Sequence, residues 1–148
     1  MEDVVALTVA RLKEGNPLWK DVSEIDALSQ LDLKKTGTTR TPALYVFLVG
    51  ETPGPDVRGS GAYLQSLTAT VGVVIVDTSR NGKPIDLQPL RQPLRQALRK
   101  RLFGWSGSDV FEPYWLGGGR LLTIESGRAS WLDNFVTEYT EDQNAYGP

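Results

Sequence analysis

Residues Ala62 to Ser79 alternate in polarity over a longer run than any other part of the chain. Tyr63, Leu67, Ala69, Val71, Val73 and Ile75 fall on one face, and Ser66, Thr68, Thr70 and Gly72 on the other. Val74 and Val76 then make the end apolar on both faces. The pattern predicts a strand that is polar-backed at one end and buried at the other, long enough to leave the body of the domain. Such a strand commits the chain to a sheet. A second predicted strand precedes it: Pro42 opens Ala43 to Val49, whose run ALYVFLV is nearly all apolar, as a strand covered on both faces requires. Between the two lies GETPGPDVRGSG, Gly50 to Gly61, whose glycines and prolines read as a loop rather than a regular element. A loop of that length in a small domain is usually functional or disordered.

Helical spacing appears twice more strongly than elsewhere. Asp3 to Glu14 places Val5, Val9 and Leu12 on one face with Val4 and Thr8 beside them; Asp3 is the expected N-cap, and Gly15-Asn16-Pro17 ends the helix. In DLQPLRQPLRQALRKRLFGW, Asp86 to Trp105, the leucines 87, 90, 94, 98 and 102 line one side. Arg91, Arg95 and Arg99 form a row beside them, Gly104 stops the helix and Trp105 follows. Pro89 fits a first turn. Pro93 predicts either a kink or a helix regular only from about Leu90. Leu18 to Val22 reads as a short strand and Glu24 to Leu31 as a brief helix, with Ser23 as N-cap and Asp26 in the capping-box position. Asp32 to Thr41 and Arg80 to Pro84 read as loops, as does Ser106 to Pro113. Tyr114 to Leu116 and Arg120 to Ser126 read as strand material interrupted by Gly117-Gly118-Gly119, and Trp131 to Thr140 as a last strand with Trp131, Phe135, Thr137 and Tyr139 on one face. Glu141 to Pro148 reads as a polar, mobile tail. Helix, short strand, short helix, strand, long strand, helix, strand, strand is an α+β order: a mainly antiparallel sheet flanked by helices in a single domain.

At 148 residues and 40% hydrophobic content the chain suits one core. It contains no cysteine and no histidine. Disulfides and thiolate metal sites are thereby excluded, and the commonest general base, metal ligand and pH switch are missing. No run approaches the ~18 apolar residues of a membrane span, and the MEDVV start is unlike a secretion signal; a soluble protein made in the cytoplasm is expected. No serine sits in a nucleophile-elbow pattern. The carboxylates Asp21, Glu24 and Asp26 suit a helix start, and Glu138, Glu141 and Asp142 suit a solvated C-terminal segment. The triple glycine lacks the Lys and Ser/Thr of a phosphate loop, and no acidic spacing matches a calcium loop. The expectation is a protein that is not an enzyme and carries no cofactor or metal.

Charge is segregated. Arg80 to Arg101 holds seven basic residues against Asp86, whereas Glu125 to the end holds five acids against Arg128. These patches can meet within one subunit or between neighbouring copies in a head-to-tail ring. Arg91, Arg95 and Arg99 have three readings: contacts to nucleic-acid phosphates, pairing with carboxylates of the same chain while their stems cover the core edge, or contacts to another subunit. The formal net charge of −2 argues against the first. Trp105 reads as a plug at the core edge or as a binding residue.

The order RLKEG, TPALYVFLVG, the Gly/Pro loop, QSLTATVGVVIVDTSR, LRQALRKRLFGW, LLTIESG and WLDNFVTEY, spanning roughly residues 3 to 140, resembles the tail terminator proteins of long-tailed bacteriophages, the lambda-type family. The resemblance implies an α+β homohexameric ring that caps the head-proximal end of the tail tube, ends tube polymerisation and offers a surface for the head connector. It implies the tail-tube protein, a head connector or neck protein and, in a contractile tail, a sheath protein as partners. It further implies that DNA passes through the ring without specific binding, and a location in the neck region of the virion tail, with the host cytoplasm during assembly. Under this reading Arg91, Arg95 and Arg99 lie at a subunit interface, and Pro53, Pro55, Asp56 and Arg58 contact the tube or connector. Another neck or connector-completion protein of a phage or phage-like contractile machine is the neighbouring alternative; a small nucleic-acid-binding domain is the alternative of a different class.

Overall fold

A computed structural model describes residues 2–31, 40–78, 92–125 and 127–147. In chain order its elements are helix α1 (Val4–Lys13), strand β1 (Asp21–Glu24), a 3-10 turn (Leu28–Gln30), β2 (Ala43–Asp56), β3 (Leu64–Thr78), helix α2 (Pro93–Leu102), β4 (Trp115–Glu125), β5 (Arg128–Asp142) and a second 3-10 turn (Gln143–Tyr146). The five strands form one sheet in the order β1-β2-β3-β5-β4. Among the described residues only the β1–β2 pair is parallel. The α+β expectation holds, with a mixed sheet. No helix among the described residues is long and apolar enough to cross a membrane.

The long alternating run becomes β3, the spine of the sheet, paired along its whole length with β5, from Leu64↔Asp142 to Thr78↔Arg128. Both faces of its inner half are covered, as its sequence predicts. Val71, Val73 and Ile75 join Leu44, Val46 and Phe135 beneath the two helices. Val74 and Val76 join Ala43, Tyr45, Phe47 and Leu132 on the opposite face, where Ile25, Leu28 and Leu31 pack over them. Helix α1 buries Val5, Thr8 and Leu12, and the Asp3 carboxylate caps it by accepting the Val5 and Ala6 N–H groups at 2.9 and 3.1 Å. Helix α2 buries Leu94, Leu98 and Leu102, one leucine per turn. Gly104, at φ +80°, takes the chain out of it through a left-handed conformation that a side chain would strain. Each helix end is tied to the other: Arg11 Nε donates to the Arg101 carbonyl at 3.1 Å, and Arg101 Nη1 to the Arg11 carbonyl at 2.9 Å. Trp105 is partly buried against the core, its ring 6.0 Å from Tyr114, which fits the plug reading.

Four local expectations are corrected. Gly50 to Asp56 is not loop but the outer half of β2, paired with β3 as far as Asp56↔Gln65. Register shifts at Leu48/Gly50 and Pro53/Asp56 absorb the irregular residues. β1 covers only Ala43–Val46, so Pro53 and Pro55 lie on an edge that needs no N–H from them. Glu24–Leu31 is not a helix: Ser23 and Glu24 pair with Tyr45 and Val46, and the Ile25 N–H bonds the Val46 carbonyl at 2.9 Å. The sheet thus takes the donors a helix start would leave open, and only Leu28–Gln30 winds into a 3-10 turn. Gly117–Gly119 does not interrupt a strand: β4 runs continuously through it with one shift at Leu116/Gly118. Pro93 is the first residue of α2, with Gln92 as its N-cap, so the described helix is regular from Pro93 rather than from about Leu90, and the missing N–H of the proline costs nothing there. The predicted helix residues 86–91, including Leu87, Leu90 and Arg91, lie outside the described residues, as do most of the two predicted loops at 32–41 and 80–84.

Candidate functional site

The features singled out in the sequence fall in two places. The first is the outer tip of the sheet. β2 and β3 form a hairpin whose turn, residues 57–63, sits beside the end of β5. Pro53 and Pro55 lie on the exposed end of β2. Asp56 Oδ1 accepts the N–H groups of Leu64 at 3.0 Å and Arg58 at 3.1 Å, closing the turn from within. The Leu64 N–H, more than the Arg58 N–H, holds the Asp56 carboxyl below the usual carboxylate range. Arg58 Nη1 donates to the Ala62 carbonyl at 2.7 Å, and Nη2 meets Asp142 Oδ2 at 2.9 Å. That contact, with the Asn144 N–H, also depresses the Asp142 carboxyl. Three large side chains stand exposed around this clasp: Val57, Tyr63 and Tyr146, the last bonded through its hydroxyl to Glu141. The structure therefore brings Pro53, Pro55, Asp56 and Arg58 to one tip and fastens it to the C-terminal end of β5. A tip held by its own carboxylates and arginine presents a preformed surface with apolar side chains outward, suited to docking against another protein.

The second place is the side of α2. Arg95 and Arg99 both turn to Asp133 on β5, which is 1% exposed. Arg95 Nε lies 3.6 Å from Oδ1 and Arg99 Nε 3.4 Å from Oδ2. Trp131 Nε1 donates to Oδ1 at 2.8 Å, and the Arg95 guanidinium stacks 4.1 Å above the Trp131 ring. Across the ladder from Asp133 is Gly119. A β-carbon there would stand 2.3 Å from Asp133 Oδ1 and 2.9 Å from Trp131 Nε1, so the middle glycine run of β4 makes room for the buried carboxylate. Asp133 was not singled out in the sequence. The available signal was its place: it shares the inward parity of Trp131, Phe135 and Thr137, and a lone acid there faces a row of arginines spaced by four. Arg91, the third member of that row, lies outside the described residues.

Among the described residues no group of three His, Cys, Asp or Glu side chains is placed to hold a metal ion. A cleft of about 460 Å³ opens beside the paired helix ends, lined by Arg11, Trp19, Lys100 and Arg101. Elsewhere in the interior, burial pushes the Tyr114 hydroxyl up to about 12, partly offset by its 2.7 Å hydrogen bond with Thr8; it bridges α1 to the sheet. The family model described as phage tail terminator protein matches residues 2–145. No curated protein matches the chain.

Proposed function

The chain belongs to the phage tail terminator family, and on that premise we propose that it caps the head-proximal end of the tail tube as a homohexameric ring. Membership makes it a structural protein of the virion tail, which acts with other tail and virion proteins. The proposed ring ends tube polymerisation and then offers its free face to a head connector or neck protein, with a sheath protein as a further neighbour in a contractile tail. DNA crosses it without specific binding. The observation that carries this reading is the extent of the family match, residues 2–145, which takes in every element of the sheet and both helices.

Two surfaces take roles in this proposal. The clasped tip, with Pro53, Pro55, Asp56 and Arg58, contacts the tube or the connector; its support is the preformed turn and the exposed Val57 and Tyr63 around it. The row Arg91, Arg95 and Arg99 borders a subunit interface. Arg95 and Arg99 are already engaged with Asp133, and Arg99 keeps about a third of its side chain exposed for a neighbour.

The experiment is a polymerisation assay with the tail-tube protein of the same phage, read by electron microscopy. Adding this chain arrests elongation and leaves a ring density at one tube end. Tubes of unchanged length, with no bound chain, contradict the proposal.

A further inference from the structure

The sheet has two long edges without a backbone partner among the described residues. One is β4, from Trp115 to Glu125; the other is β2 beyond the reach of β1, from Phe47 to Asp56. Shifts in register interrupt both, and Pro53 and Pro55 blunt the far end of β2, yet each edge keeps a stretch with unpaired backbone and exposed apolar side chains. β4 exposes Trp115, Leu121 and Ile124, and β2 exposes Leu48 and Val49. Resting on the ring reading above, we propose that these edges are one seam: β4 of each copy adds to the outer half of β2 of the next, so the sheet continues from subunit to subunit.

Three properties of the fold support a second copy as the occupant. The first is strand direction. β2 and β5 run one way, β3 and β4 the other. Rotation about a ring axis preserves those directions, so β4 meets the neighbouring β2 antiparallel and the alternation of the sheet is kept.

The second is facial match. Leu121 and Ile124 stand opposite Trp131 and Ala129, on the helix-covered face. On β2, Leu48 and Glu51 stand opposite Val71 and Ala69, on the same face. Setting Leu121 against Glu51 therefore places Ile124 against Leu48 and Arg120 against Thr52, each pair on a common face. The shifts at Leu121/Thr123 and Leu48/Gly50 fall level with each other in that register.

The third is stagger. Through the ladders, Leu121 lies level with Ile75, whereas Glu51 lies level with Ala69. The seam thus displaces each copy by about six residues, or about 20 Å, along the strands for about 19 Å across four of them. That corresponds to a strand tilt of about 45°, at the upper end of the ~35–45° that a sheet closing on itself adopts. An untilted junction would set β4 against the part of β2 that β1 already covers.

The absence of cysteine makes the test direct. The double variant Arg120→Cys, Thr52→Cys is treated with a short bismaleimide, alone at high concentration and on polymerised tail tube, and resolved on a denaturing gel. The expected result is a ladder rising to the ring size, with neither single variant crosslinking beyond background. Rings seen by light scattering or microscopy with no ladder overturn the seam and leave the ring reading intact. Dimers from Arg120→Cys alone show β4 pairing with itself and also overturn the seam. Monomer under both conditions overturns the seam and the ring together.

Discussion

Asp133 shows how much one residue can organise. Buried carboxylates are stable only when paired and hydrogen-bonded, and Asp133 takes two arginines and the Trp131 indole while Gly119 yields the space for it. Arg95→Glu places a second negative charge against this group. The expected outcome is a loss of about 3 kcal/mol or more in chemical denaturation of the isolated chain; an unchanged denaturation midpoint would mean that the pairing contributes nothing and that Arg95 acts only between subunits. The residue-level reading of the sequence reached the arginine row and its spacing, with pairing to a carboxylate of the same chain as one of three readings, but not the acid. Asp133 is a single letter in WLDNFVTEY, and its partner is set by a ladder pairing that joins residues far apart in the chain. The Asp3 cap, by contrast, was legible because its partners are two and three residues away. The clasp of Arg58 on Asp142 was illegible for the same reason as Asp133: 84 residues separate them.

At the scale of elements, periodicity was reliable wherever burial decides the structure. β3, α1 and the buried stripe of α2 follow the apolar spacing closely. Leu98 is fully buried between α2 and the sheet, so Leu98→Ala costs about 2–5 kcal/mol in urea unfolding, as large-to-small changes in a core do. A change near zero would mean that α2 is not part of the core. Composition misled at Gly50–Asp56 and Gly117–Gly119, where glycine and proline suggested loops. Both segments lie on sheet edges, where one side of the backbone has no ladder to satisfy and shifts in register are tolerated. The hairpin tip carries a pH prediction. Asp56 and Asp142 both titrate below their ordinary range in the folded chain. Groups with depressed values stabilise the fold above the unfolded value and lose that contribution as pH falls through the folded one. The protection of the Leu64 and Asn144 amides, whose N–H groups these carboxylates accept, taken as exchange relative to an unfolded chain at the same pH, is therefore high near neutrality and falls in acid below the usual carboxylate range. Exchange independent of pH-driven opening there would show that the carboxylates do not hold the tip.

At the scale of the whole molecule, the sheet of the described residues is finished in its middle and open at its ends. The inner halves of β2, β3 and β5 are covered on both faces, whereas β4 and the outer half of β2 leave apolar side chains and backbone exposed. A chain built this way is suited to be completed by neighbours, as the proposed ring requires. The α+β class and the family were legible from the order of elements; the diagonal placement of the two open edges was not, because it depends on which part of β2 the short β1 covers. The proposed role of this chain is to end tail growth at the head-proximal end. The most direct measurement is the length of tails, by electron microscopy, in cells infected with phage lacking this chain. The expected result is abnormally long tails without heads, restored to normal by supplying the chain in trans. Tails of normal length joined to heads would contradict it.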